Sequence, residues 1–142
     1  MNQWNLPSLV QRLDPPQGPV DVVLDTDTFN EVDDQFALSY LLAWRERLRV
    51  QALYAAPFYN ENSTSPADGM EKSYQEILKL LELAGCPSYK KVTFRGSQNY
   101  LPNESTPVPS PAAEDLARRA MGYSPDKPLY VVTIGALTNV AS

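Results

Sequence analysis

Apolar positions along the chain alternate between short β-branched runs and stretches of helical period. Val20, Val22, Val23 and Leu24 form a compact run that predicts a buried strand over 20–24. The period then changes. Phe36, Ala37, Tyr40, Leu41 and Trp44 recur at helical spacing and predict a helix running to about Leu48. Asp33 and Asp34 open it, where carboxylates complement the free N–H groups and the dipole. Val50 and the run 52–56 predict a second strand over 49–56, followed by a polar Asn/Ser/Pro loop over 57–68. Tyr74, Ile77, Leu78, Leu80, Leu81 and Leu83 mark the apolar side of a second helix that Gly85 stops. A short strand over 91–94 and a loop over 95–109 come next. A third helix covers 111–121, with Glu114 and Asp115 early and Arg118 and Arg119 late, as the helix dipole favours. Residues 129–134 read as a fourth strand, and 135–139 turn into a helix that has barely begun at Ser142.

Strands alternating with helices predict an α/β fold with an open, mainly parallel sheet, helices on both faces and right-handed crossovers. Residues 1–19 are expected to be an irregular lead-in, with Trp4, Leu6, Leu9, Val10 and Leu13 in a short amphipathic turn ended by the proline-rich stretch 14–19. Residues 20–142 are expected to form the N-terminal portion of a single α/β domain, incomplete at its C-terminus. In such sheets ligands bind beyond the carboxyl ends of the strands. The loops after 24, 56, 94 and 134 should therefore gather on one edge.

Composition narrows the chemistry. The net charge of −5 argues against a nucleic-acid surface. The chain has no histidine, which removes Ser-His-Asp triads and His-ligated zinc, and its one cysteine, Cys86, removes an internal disulfide. No apolar run is long enough for a membrane anchor, and the expected location is cytoplasmic. Secondary candidates are an anion contact at Arg95-Gly96-Ser97, set below a surface loop, and base stacking by Tyr54, Phe58 or Tyr59, set beside an aromatic core edge. The charged run 45–49 reads as a solvated helix face.

One stretch stands apart. The first strand runs into a loop carrying Asp25, Asp27, Glu31, Asp33 and Asp34. Crowded carboxylates raise one another's pKa, and a divalent cation relieves the conflict. Helix capping accounts for Asp33 and Asp34 but not for Asp25 and Asp27 at the end of an apolar strand.

Asp25-Thr26-Asp27 followed by Asp33-Asp34 resembles the Asp-x-Asp, Asp-Asp signature of the inosine–uridine-type nucleoside hydrolases. The segment Gly135-Ala136-Leu137-Thr138-Asn139-Val140-Ala141 resembles that family's Gly-x-Leu-Thr-Asn-[Ile/Val]-Ala segment, and 78–85 with 92–96 sit where the family has its second crossover helix and third strand. The resemblance implies a Rossmann-like nucleoside hydrolase fold, one Ca2+ ion and hydrolysis of the N-glycosidic bond of ribonucleosides by a calcium-bound water. It implies Asp27 as calcium ligand and general base, Asp34 as calcium ligand, and the backbone carbonyl of Ile134 as a further ligand. Asp33 would hold ribose hydroxyls, and Asp25 and Asn139 would support the loop. The implied partner is a nucleoside or another ribosylated small molecule, not nucleic acid or membrane, with a homo-oligomeric full-length form left open.

The chain departs from that pattern twice. The spacer 28–32 is two residues longer than the family's Pro-Gly-x and lacks its glycine. The second strand does not end in Gly-Asn, and Asn60 or Asn62 is the candidate substitute for that substrate-contacting Asn. The expectation for the 142-residue chain is weak calcium binding and little turnover. The alternatives are the same fold acting on another ribosylated substrate, a non-catalytic truncated copy and, lower, a magnesium-binding receiver-type domain.

Overall fold

The computed structural model describes Val10 and residues 13–142. Most of the amphipathic turn expected around Trp4, Leu6 and Leu9 lies outside these residues; Val10 and Leu13 are exposed. The elements are β1 (Val20–Thr26), α1 (Val32–Ala43), β2 (Leu48–Ala55), α2 (Pro66–Leu83), a 3-10 helix (Pro87–Val92), β3 (Thr93–Arg95), α3 (Pro111–Ala120), β4 (Leu129–Thr133) and α4 (Thr138–Ala141). The four strands form one sheet in the order β3-β2-β1-β4, and every pairing is parallel. This is the open α/β architecture that the strand–helix alternation predicts.

Each face has its own core. Val22 and Leu24 of β1 and Val50, Leu53 and Ala55 of β2 pack with Leu38, Leu41 and Leu42 of α1 and Met70, Ile77 and Leu81 of α2. On the opposite face Val23, Ala52 and Tyr54 meet Ala112 and Leu116 of α3. The β1–β2 register slips between Val22 and Val23, because Val22 pairs with Val50 while Val23 pairs with Ala52. Gln51 is the extra residue, and its Nε2 donates to Asp21 Oδ1 at 3.1 Å. The bulge resets which side chains of β2 face which core.

Local chemistry explains where the helices start and stop. Ser65 and Ser110 cap α2 and α3, their Oγ atoms accepting from the backbone N–H of Asp68 and Ala113, each with Pro at the first helical position. After α2 the N–H of Cys86 reaches Leu81 O at 2.8 Å and that of Gly85 reaches Glu82 O at 3.0 Å. This Schellman closure needs the φ of +64° that Gly85 adopts.

Several expectations are corrected. The first helix ends at Ala43, so the charged run 45–49 lies in the turn and the start of β2 rather than on a helix face. Its aromatic stripe faces water: Phe36, Tyr40 and Trp44 are 71%, 59% and 54% exposed, while Leu38 is 0%. The sequence offers two apolar stripes on this helix, and the sheet selects the leucines. Leu38→Ala is therefore expected to cost about 2–5 kcal/mol in denaturant unfolding, and Phe36→Ala no more than about 0.5 kcal/mol. The reverse ranking would contradict this packing. The third strand starts later than expected because 87–92 coil into the 3-10 helix, and it occupies only Thr93–Arg95. Asp115 does not simply serve the dipole of α3. It is buried, accepts from Tyr54 Oη at 2.7 Å, and pairs with Arg118 and Arg119.

The two sheet edges differ. The β3 edge is three residues long. The β4 edge carries no charge, and its neighbours Val131 and Val132, which point to opposite faces, are both exposed. Among the described residues no helix is long and apolar enough to cross a membrane.

Candidate functional site

β1 is two residues longer than its apolar run suggests. Thr26 closes the strand, so Asp25 is a strand residue with no exposed surface, not a loop residue. The sheet order makes β1 the place where the chain reverses its direction of winding: β2 and β3 lie to one side and β4 to the other. Such switch points open a crevice at the strand carboxyl ends. Asp27 sits at this one. A Cβ on Gly135, just past β4, would fall 2.9 Å from Asp27 Oδ1 and 3.0 Å from Ala56 Cβ. Glycine thus leaves room for the Asp27 carboxylate beside the turn that carries Ile134. The N–H of Ile134 donates to Asp25 O at 2.9 Å, which holds that turn against β1.

Asp34 turns inward from the first turn of α1 and is buried. Thr26 Oγ1 donates a short hydrogen bond to its Oδ1 and lies 2.9 Å from Thr28 Oγ1. Asp33, one residue earlier, is exposed. Asp25 is held from behind. Asn139, at the start of α4, donates through Nδ2 to Asp25 Oδ1 at 2.8 Å and to Ala55 O at 3.2 Å. Its Oδ1 accepts from the N–H of Ser97 at 2.7 Å and from Ser110 Oγ at 3.3 Å. One buried amide therefore joins β1, β2, the loop after β3 and the cap of α3. The other oxygen of Asp25, Oδ2, is buried with no partner.

Burial raises the proton affinity of all three carboxylates, and neighbouring like charges add to it. Burial pushes Asp25 up to about 7; the Asn139 hydrogen bond pulls it down and the nearby Asp27 charge pushes it further up. Burial also lifts Asp34 to about 6, with the Thr26 hydrogen bond opposing and the charges of Asp27 and Asp33 adding. Asp27 rises for the same leading reason, eased by a hydrogen bond from Asn30 and worsened by Glu31 and Asp33. A cation placed among these groups would favour the ionised forms.

Asn60 is exposed in the loop after β2, and both ends of its amide engage the protein. Its Nδ2 donates to Asn30 Oδ1 at 2.6 Å, and its Oδ1 accepts from the N–H of Asn62 at 2.9 Å. Of the aromatic candidates, Tyr54 and Phe58 are core residues, and Tyr59 alone is exposed. Arg95-Gly96-Ser97 is not the surface loop expected, and its cation is already paired with Glu71. Arg95 forks onto Glu71 and stacks 3.9 Å from the Tyr74 ring, while Gly96 and Ser97 are buried.

The acidic signature thus brings Asp25, Asp27 and Asp34 to one strand end, with the Ile134–Gly135 turn beside them. Sequence reasoning missed Thr26, Thr28 and Asn30. The first two were signalled only by hydroxyls alternating with aspartates. Among the described residues, no three His, Cys, Asp or Glu side chains converge into a preformed metal-binding group. The ligand set drawn from the resemblance has a different make-up, two carboxylates and a backbone carbonyl. The orphaned Asp25 oxygen and a donor set made only of oxygens fit a hard cation that takes oxygen ligands. Comparison with protein-family models, curated proteins and solved structures returned no match.

Proposed function

We propose that this chain hydrolyses the N-glycosidic bond of ribonucleosides at a calcium centre on the carboxyl end of β1. The observation that carries the reading is the Asp27 carboxylate lodged against Gly135 at the switch point of the sheet, with buried Asp34 and the unpartnered Asp25 oxygen beside it. Asp27, Asp34 and the Ile134 carbonyl would hold the ion, which when bound supplies Lewis-acid activation of water.

The chain's own residues do the rest. Asp27 accepts a proton from the attacking water while its Oδ2 stays anchored to Asn30. Asp33 is exposed next to the metal loop and free to accept ribose hydroxyls. The concentrated negative charge stabilises the cationic sugar that forms as the C1′–N bond breaks. Asn60 contributes at the rim of the crevice. Its engagement by Asn30 and Asn62 favours a second reading, in which the metal loop is kept and a different ribosylated substrate is taken.

The test is reducing-sugar release from inosine, uridine, adenosine and cytidine in excess calcium, with chelator and Asp27→Ala as controls. We expect slow release that chelator abolishes and that Asp27→Ala lowers by about 10²–10⁴-fold. Unchanged turnover in Asp27→Ala removes the base role. Release from none of the nucleosides removes the substrate class.

A further inference from the structure

The loop that breaks the family pattern carries a side-chain amide bonded directly to the Asp27 carboxylate. Asn30 lies in the long spacer between Asp27 and Asp33 and is half-buried. Its backbone N–H donates to Asp27 O at 2.7 Å, closing a tight turn. Its side-chain Nδ2 donates to Asp27 Oδ2 at 3.0 Å. Its Oδ1 accepts from Asn60 Nδ2 at 2.6 Å, and its backbone O accepts from Asn62 Nδ2 at 3.3 Å. Lys72 of α2 in turn donates to Asn62 O at 2.9 Å. A line of hydrogen bonds therefore runs from α2 through the loop after β2 to the Asp27 carboxylate.

The polarity of that line is not arbitrary. An ionised carboxylate only accepts, so Asn30 must present Nδ2 to Asp27 and Oδ1 to Asn60. Asn60 must then present Nδ2, which leaves its Oδ1 to accept from the N–H of Asn62. All these contacts follow that order. The carboxylate sets the direction of each amide behind it.

We propose that Asn30 is the positioning residue for Asp27, and that Asn60 and Asn62 act on the centre through Asn30. This rests on the calcium reading above. With Oδ2 anchored, the carboxylate loses rotational freedom and Oδ1 stays on the side of Gly135. Anchoring a ligand in this way changes metal affinity by about 10–100-fold. The longer spacer then has a role: it carries the amide that reaches back to Asp27.

The experiment is a calcium titration of the 142-residue chain followed by ¹H–¹⁵N NMR, which reads millimolar binding as well as tight binding. The wild type, Asn30→Ala, Asn60→Ala and the double variant are compared, with the calcium-free thermal midpoint of each as a folding control. The Asn30 side-chain amide and the Asp27 backbone amide of the wild type should shift together, with one Kd. Asn30→Ala should weaken that Kd about tenfold or more. Asn60→Ala should weaken it by a smaller factor, and should have no further effect once Asn30 is alanine. Midpoints should stay within a few degrees of wild type. Unchanged affinity in Asn30→Ala overturns the proposal while leaving the calcium centre standing. An Asn60→Ala effect that persists in the double variant overturns the route through Asn30. A wild type that shows no calcium response at Asp27 overturns the calcium reading and this inference with it.

Discussion

Asn139→Ala is expected to destabilise the chain by about 3–5 kcal/mol in urea or guanidinium unfolding. Asn139 is 1% exposed and uses both ends of its amide. Truncation strands Asp25 Oδ1 and the Ser97 N–H in the interior and removes a donor from Ala55 O and an acceptor from the Ser110 hydroxyl. Each buried group left without a partner costs about 1–3 kcal/mol, so even partial rescue by water leaves a large deficit. The total stability of a domain this size is about 5–15 kcal/mol, so the loss is a substantial share. Asn139→Asp keeps the shape but removes the donor and sets a second carboxylate against Asp25, so it should be at least as damaging. A cost below about 1 kcal/mol for Asn139→Ala would sink the idea that this amide ties the strand ends together.

The calcium-free chain should lose stability between pH 5 and pH 8, and calcium should restore it. Asp25 and Asp34 have native pKa values raised to about 7 and about 6 from an ordinary 3.8. Over that window the folded chain binds more protons at these sites than the unfolded chain. Their contribution is fully present below about pH 4 and is lost as pH rises through the folded values. The acids held low oppose this only in strong acid: Asp115, Asp68 and Glu71 gain partners on folding and favour the folded state above their ordinary range. Their loss on acidification places the optimum at about pH 4. A thermal midpoint several degrees lower at pH 8 than at pH 5 in chelator is the expected result, with the gap closing in saturating calcium. A midpoint that rises steadily from pH 5 to pH 8 without metal would falsify the assignment of Asp25 and Asp34 as buried, proton-binding groups.

Much of the fold was legible because its elements are short and strongly patterned. The β-branched run before Asp25, the serine-plus-proline starts of α2 and α3, and Gly85 each have a local physical cause that survives folding. The features that were not legible depend on partners far along the chain. Val32, Phe36, Tyr40 and Trp44 are as regularly spaced as Leu38, Leu41 and Leu42, and only the position of the sheet decides between the two stripes. The extra residue at Gln51 leaves no mark in composition, since a polar residue in a strand is ordinary at any exposed position. Asp115 resembled a dipole-complementing residue until Tyr54, 61 positions earlier, was found bonded to it.

The same holds for the candidate site. Asp25 and Asp27 stood out as charges in the wrong place, and the structure brings Asp34 to the same strand end. Asn30 did not stand out, because an asparagine in a loop usually serves its own turn. Asn30 does that too, and its second role shows only when the loop after β2 arrives. Thr26 was hidden for a related reason: a hydroxyl at a strand end has no distinctive chemistry until a carboxylate faces it.

The Asp25–Asn139 contact also bears on how the molecule forms. It spans 114 positions, and the bond from Asn139 to Ala55 spans 84. Contacts of such separation close large loops, and they are made late relative to the local helices and neighbouring strand pairs. The Asp25 carboxylate is therefore solvated and ionised through the early stages of folding. It takes up its proton, or gives up its water to a cation, only when α4 docks. The rate of that final step should depend on pH and on metal, while the earlier pairing of β1 with β2, about 28 positions apart, should depend on neither.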